Sequence, residues 1–362
     1  MELISLIKDF MLTEAVSGYE RRMAYKLKAC FEKFSDQVSI DKAGNTIARF
    51  QGSDPDAPSI MIFAHMDQLG FIVRKIENNG LIQIDRLGGI PEKVLPALNV
   101  SVSTIDGEYI PGMIGNKAHH ATSADEKYKV DVVTSLFIDV GAKSRRDVIE
   151  AGVHVGCPVC YKPSFAQLMG TIVSGTTVDN RGGCSALVGL AESCMKNRPK
   201  ATVFLVGTVW EEFNLRGAIF AARKLKPDLA ICVDVALSGD TPDLAGRYDV
   251  CLSKGPTVTL YNFHGRGTLN GTIAHNGLYK LALGCAKTAG IPLQEFASLG
   301  MLTDNAYVQL EGEYIACLDM GFPARYTHSP IETCDLADIG QLVSLISDMV
   351  AALDKSFDAR RY

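Results

Sequence analysis

Apolar runs of strand length recur along the chain, and most of them stop at polar residues. "APSIMIFAHMD", "TVFLVGTVWEE", "DLAICVDVALSGD" and "EYIACLDMGF" are nearly continuous hydrophobic segments. Such runs suit strands that are covered on both faces. Helical spacing lies between and around them, near residues 2–11, 20–34, 216–224, 275–289 and 335–355. Buried strands alternating with helices predict an α/β layer.

The pattern changes from about Phe71 to Phe165. "FIVRKIENNGLIQIDRLGG" reads as two strands joined at Asn79-Gly80, a strong hairpin signal. Short strands with Gly and Pro punctuation follow, and no long amphipathic helix interrupts them. The spacing therefore predicts one α/β domain, 1–70 plus 166–362, interrupted by a β-rich insert over 71–165.

Composition narrows the classes. At 362 residues the chain has room for two domains, and 47% hydrophobic with 21% charged residues suits a soluble globular protein. A net charge of −5 gives no reason to expect nucleic acid or a membrane as partner. No uninterrupted apolar run reaches the ~18 residues of a membrane span. The start, "MELISLIKDFMLTEAVSGYE", reads as neither signal peptide nor anchor. Most of the ten cysteines sit in apolar runs, so reduced thiols and a cytoplasmic location are expected. Cys157 and Cys160 form a C-x-x-C pair, but no second pair completes a zinc site.

The chemistry gathers where apolar runs end. His65 and Asp67 follow one, Glu211 and Glu212 another, Asp234 a third, with Asp240 beyond it. Asp179 precedes a helix whose first turn is built of small residues, and His328 lies on a late loop. Each has an ordinary explanation taken alone: a satisfied histidine, an N-cap aspartate, a solvated Glu-Glu pair. Packed together, the carboxylates would repel strongly without a cation. Two divalent ions would balance Asp179, Glu212 and Asp234, with a bridging hydroxide closing the sum. A bound water's pKa falls to about 7 in such sites. Nitrogen and oxygen donors without thiolate suit Zn²⁺, Co²⁺ or Mn²⁺. Adjacent strand residues point apart, so one of Glu211 and Glu212 can hold a metal while the other faces its water. His65 and Asp67 fall on the same side, so Asp67 is placed to hold the second imidazole N–H.

The motifs "AHMDQLGF", "VDNRGG", "EEFNLRGA", "DVALSGDTP" and "RYTHSPIE", in this order, resemble the glutamyl-aminopeptidase family of dinuclear metallopeptidases. These are the tetrahedral (TET) aminopeptidases, some of whose members carry an endoglucanase label. The resemblance implies a mixed sheet flanked by helices, with an inserted small β-barrel or PDZ-like domain. It implies that Asp179 bridges two ions, with His65 and Asp234 completing one and Glu212 and His328 the other. Glu211 would be the general base, and Asp67 the partner of His65. The pattern departs at Trp210, where the family often has Gln, at Asn180, where an acidic residue is common, and at "GNKAHHATS".

The expected activity is removal of N-terminal residues from peptides by a homo-oligomer, up to a dodecamer. A deacylase of small N-acyl compounds is the alternative with the same chemistry. A glycoside hydrolase using Glu211 and Glu212 is a third reading, which would leave His65 and His328 idle. His119 and His120, on a polar loop of the insert, are candidates to reach an active site, their own chain's or a neighbour's.

Overall fold

The computed structural model describes residues 2–265 and 270–361. Val203–Thr208, Ile60–His65, Leu229–Leu237 and Ala316–Arg325 lie side by side in parallel, in that order. Antiparallel strands extend this centre on both sides. Thr46–Phe50 and Val38–Ile40 continue beyond Val203–Thr208. Glu332–Asp335, Ile172–Gly175 and Phe165–Gln167 continue beyond Ala316–Arg325. The result is the mixed sheet expected of the α/β class.

The unbroken hydrophobicity of the central strands has a direct cause. Along Ile60–His65, Ile60, Ile62 and Ala64 face one core, while Met61 and Phe63 face another. The first core also takes helices Leu3–Met11, Arg21–Phe31, Val178–Lys196 and Leu336–Ala352. The second takes the alanine face of helix Gly217–Leu225. A strand with period two and helices on both faces has no polar side to spare.

Gly70–Ile76, Ile82–Leu87, Phe137–Asp139, Tyr109–Ile114, Asn99–Ser103 and Pro158–Tyr161 close into a six-stranded antiparallel barrel. Closure leaves no free sheet edge. The first two strands meet at the Asn79-Gly80 turn, where Gly80 has φ +87°. The barrel has its own apolar core, which includes Phe71, Ile84, Val102 and Ile138. All ten cysteines are free thiols, and both Cys157 and Cys160 are buried in this part of the chain.

Helix Val178–Lys196 approaches the sheet closely at its N-terminal end. A Cβ at Gly182 would lie 2.2 Å from Phe322 Cζ, and one at Gly183 2.9 Å from the Ala64 Cβ. Gly182→Ala is therefore expected to cost ~1–3 kcal/mol through overpacking. Gly284, in helix Asn276–Ala289, has open space where its Cβ would stand. Gly284→Ala should instead stabilise by up to about 1 kcal/mol. Urea denaturation measures both, and equal effects would remove this account of the helix–sheet contact.

Candidate metal centre

His65 is the last residue of its strand, and its ring enters the cluster from the sheet. Its Nε2 lies 2.9 Å from Asp179 Oδ1, 3.8 Å from Asp234 Oδ1 and 4.0 Å from Glu211 Oε2. His328 approaches from the other side, with Nε2 3.7 Å from Asp179 Oδ2 and 3.9 Å from Glu212 Oε1. The two imidazoles thus face different oxygens of one carboxylate. Among the described residues, three sets of donors have ligand atoms within 4.8 Å of one another: His65–Asp179–Asp234, Asp179–Glu212–His328 and His65–Glu211–Glu212. All six of these side chains line one cavity of about 250 Å³. Nitrogen and oxygen donors in this density fit a divalent ion.

Local backbone geometry aims each group. Thr177 takes a left-handed conformation (φ +63°), and Asp179 and Asn180 have non-helical dihedrals inside the helix that begins at Val178. Asn180, rather than Asp179, does the capping: its Oδ1 accepts the Gly183 N–H at 2.9 Å. Its amide donates to the Val233 carbonyl at 2.7 Å. Asp179 is left free to face the two imidazoles. Glu332, which the sequence reading did not single out, accepts the backbone N–H groups of Asp179 and His328 at 2.9 and 2.6 Å.

Two expectations are corrected. Asp234 does not follow its strand but lies inside it, because Leu229–Leu237 keeps pairing with Ala316–Arg325 after its pairing with Ile60–His65 has stopped. That asymmetric overhang brings Asp234 to the level of His65. Glu211 and Glu212 are not strand residues, since the strand ends at Thr208. They sit in a turn entered through Trp210, whose φ is +60°. The turn is closed by Leu215 N–H to Glu211 O and Arg216 N–H to Trp210 O. The turn brings both carboxylates to the same cavity, with oxygens within 4.8 Å of each other, where the strand pleat was expected to point them apart.

Asp67 also does more than partner His65. The His65 Nδ1 is 3.1 Å from the Asp67 backbone carbonyl and 3.6 Å from its Oδ1. The carboxylate accepts the N–H of Glu211 on Oδ1 and that of Glu212 on Oδ2, each at 3.0 Å, and the Ser17 hydroxyl at 2.6 Å. For His328, the Nδ1 partner comes from the barrel side of the chain: the Gly89 carbonyl, 2.6 Å away. A Cβ at Gly89 would lie 3.3 Å from that ring nitrogen.

Burial and crowding set the proton affinities. Burial drives the Glu211 carboxyl well above the ordinary range, with Glu212, Asp234 and Asp304 adding to it against His65. Burial likewise raises Glu212 to about 7, and raises Asp234 well above normal with help from Asp179. Asp179 and Asp67 go the other way: their burial is outweighed by the pairing with His65. Burial alone would lower His328, yet Glu212, Asp179 and Glu332 hold it at about 9. The imidazoles are the nearest positive charges in a pocket of carboxylates, which is the electrostatic signature of a cation site.

Three further buried ionisable groups surround the cluster and were not singled out from sequence. Arg181 is fully buried and donates to the Phe10, Thr13 and Met66 carbonyls and to Gln68 Oε1. Glu20 accepts the Trp210 and Gly18 N–H groups, and burial together with Asp67 lifts its carboxyl to about 8. Asp304 accepts the Thr208 hydroxyl at 3.1 Å. Their signal in sequence is weak, because each is explained only by partners distant in the chain. Asp240 lies outside the cluster and pairs with Arg325 at 2.6 Å. His119 and His120 lie on an exposed turn and do not line this cavity.

Comparison with known proteins identifies the family and supports the fold. The family model for the M42 glutamyl aminopeptidases matches residues 44–345. SgcX of Escherichia coli (strain K12) is 38% identical over 333 residues, which are 92% of this chain and 89% of SgcX. Aminopeptidase APDkam598 from the archaeon Desulfurococcus kamchatkensis has a TM-score of 0.91 at 30% identity, covering 98% of this chain and 96% of that one. The Pyrococcus horikoshii TET1 peptidase, which can assemble into a tetrahedron or a large octahedral shell, has a TM-score of 0.85 at 28% identity, covering 97% and 100%. The chain therefore belongs to the M42 glutamyl aminopeptidase family, and its activity is that of an aminopeptidase, a hydrolase acting on peptide bonds.

Proposed function

We propose that the chain removes N-terminal residues from peptides with two divalent ions and a glutamate base. His65, Asp179 and Asp234 would hold one ion, and Asp179, Glu212 and His328 the other. The observation that carries this reading is Asp179, whose two oxygens face the two imidazoles within 3.7 Å. When bound, the ion pair supplies an acidified water and polarises the scissile carbonyl. The donor set, with no thiolate in any of the three groups, favours Zn²⁺, with Co²⁺ or Mn²⁺ as substitutes.

Glu211 is the base in this reading. Its carboxylate stands in the cluster but in neither of the two sets built on Asp179. Burial raises its proton affinity, which suits a group that takes a proton from water and returns it to the leaving amine. Asp67 positions it by holding the backbone N–H of Glu211 and Glu212. A glycosidase would leave both imidazoles without a task, so the geometry favours the peptidase.

Homo-oligomers are part of the proposal. The segment 71–165 would be the inserted unit that mediates assembly and governs substrate access. Its surface exposes Ile105, Met113, Val132 and Phe137, which assembly could cover. The TET1 relative's shells support this reading. Among the described residues, no helix is long and apolar enough to cross a membrane. The ten free thiols favour a reducing, cytoplasmic setting.

Chelation should abolish activity and lower the melting temperature, because it leaves buried carboxylates without their counter-charge. Differential scanning calorimetry and elemental analysis before and after metal return check this. An unchanged melting temperature with no metal lost would refute the metal reading.

Glu211→Gln should keep both metals and the fold while turnover falls by ~10²–10⁴. Glu212→Gln should instead lose metal, with part of its activity rescued by excess ion. If Glu211→Gln loses metal while Glu212→Gln stays loaded, the two assignments are exchanged.

Asp67→Asn leaves one oxygen to serve two N–H groups. It should destabilise by ~1–3 kcal/mol. It should also lower turnover more than it lowers metal content. Wild-type turnover in a destabilised variant would show that Asp67 acts on the fold alone.

A further inference from the structure

A second cavity, of about 680 Å³, adjoins the one around the carboxylates, and the two share His264, Gly300 and Met301. Away from that shared wall the lining is almost wholly apolar: Leu237, Leu244, Tyr248, Phe263 and Leu299. Among the described residues, no carboxylate and no lysine lines it. Among the described residues its one arginine is Arg247, which is exposed and lies over the Tyr248 ring, 5.4 Å from the centroid.

The wall is backed by packed structure. Leu237, Tyr248 and Met301 rest on a small core of Ala236, Val250 and Phe296. The Tyr248 and Phe296 rings are 5.2 Å apart. Leu299 is 66% exposed, so a large apolar side chain stands at the chamber with no cover. An apolar, preformed chamber that shares a wall with a polar reaction site is suitably placed for a side-chain subsite.

We propose that this chamber receives the side chain of the substrate's N-terminal residue and selects large apolar and aromatic side chains over basic ones. The inference rests on the aminopeptidase reading above. N-terminal hydrolysis requires the α-amino group and scissile carbonyl to lie among the carboxylates. The side chain on the intervening carbon is then the nearest group able to enter the adjoining space. The chamber is roomy, so its selection comes from chemistry. Leucine, methionine and phenylalanine side chains bury apolar surface against Leu237, Phe263, Leu299 and Met301. A lysine or arginine side chain would meet the like charge of Arg247 and, among the described residues, no carboxylate.

The test is a panel of aminoacyl-anilides given to the metal-loaded enzyme, read as kcat/KM. Leucyl and phenylalanyl substrates should exceed the alanyl one by at least ~10-fold, the lower end of what one methylene is worth in an apolar pocket. They should exceed the lysyl and glutamyl substrates by more. Leu299→Asp, at an exposed position, should lower the leucyl value and raise the lysyl value, with melting temperature and metal content unchanged. Arg247→Glu should raise the lysyl value further. A lysyl or glutamyl preference in the wild type overturns the proposal, and a preference for Glu would point to capture by Arg247. An unaltered leucyl-to-lysyl ratio in Leu299→Asp overturns it as well. Cleavage of no anilide at all would strike the aminopeptidase reading, and the subsite with it. Brisk, chelator-sensitive cleavage with the wrong preference would strike the subsite alone.

Discussion

Asp67 accepts two backbone N–H groups, from Glu211 and Glu212, and the Ser17 hydroxyl, while its own carbonyl and Oδ1 lie beside the His65 Nδ1. The turn after Thr208 has left the sheet ladder, so its amides need acceptors from elsewhere. One buried carboxylate supplies them and thereby couples the end of one strand to the turn after its neighbour. Its ionised state is itself supported. His65 and the N–H donors outweigh burial, and the Arg181 guanidinium lies buried close by. The N-terminal segment completes the arrangement through Ser17 on Asp67 and Glu20 on the Trp210 N–H. Without these acceptors the Glu pair would have no fixed position, and the cluster no fixed geometry.

A second set of constraints comes from across the molecule. Glu332 holds the amides of Asp179 and His328, so two donors from distant parts of the chain are set by one side chain. The His328 Nδ1 is set by the Gly89 carbonyl, which leaves Nε2 directed at Asp179 and Glu212. Gly89 lies just after the barrel strand Ile82–Leu87. The barrel side of the chain therefore fixes an imidazole at the centre, and a movement there would be felt at His328. Contacts of this kind fix the tautomer and orientation of a ligating side chain.

Much of this was legible in the sequence where the signal is local. Central strands buried on both faces leave continuous apolar runs, and Asn79-Gly80 marks its hairpin. His65, Asp179, Glu211, Glu212, Asp234 and His328 are side chains of the right chemistry in or beside such runs, at a helix start and on a late loop, and the structure brings them together. What was not legible depends on partners far away in the chain or on backbone dihedrals. Nothing in "WEEF" announces a left-handed Trp210, and the pleat cannot point the two glutamates apart where the strand has already ended: both face one cavity, with oxygens within 4.8 Å of each other. Asp234 lies inside its strand because two neighbours stop at different heights, which one segment's pattern cannot express. Arg181, Glu20 and Glu332 read as ordinary charged residues until burial and partners are known.

Asn180 shows why a neutral amide suits the start of the helix that carries Asp179. Its side chain has two tasks, accepting from the Gly183 N–H and donating to the Val233 carbonyl. A carboxylate can perform the first task but not the second. An acidic residue at this place would have to carry a proton to donate, and burial would favour that neutral form. A neutral amide performs both tasks at any pH. It also removes one titratable group from a region that already holds Asp179, Asp234 and Glu332, all buried. Asn180 thus holds the helix start that frees Asp179 without adding negative charge behind the cluster.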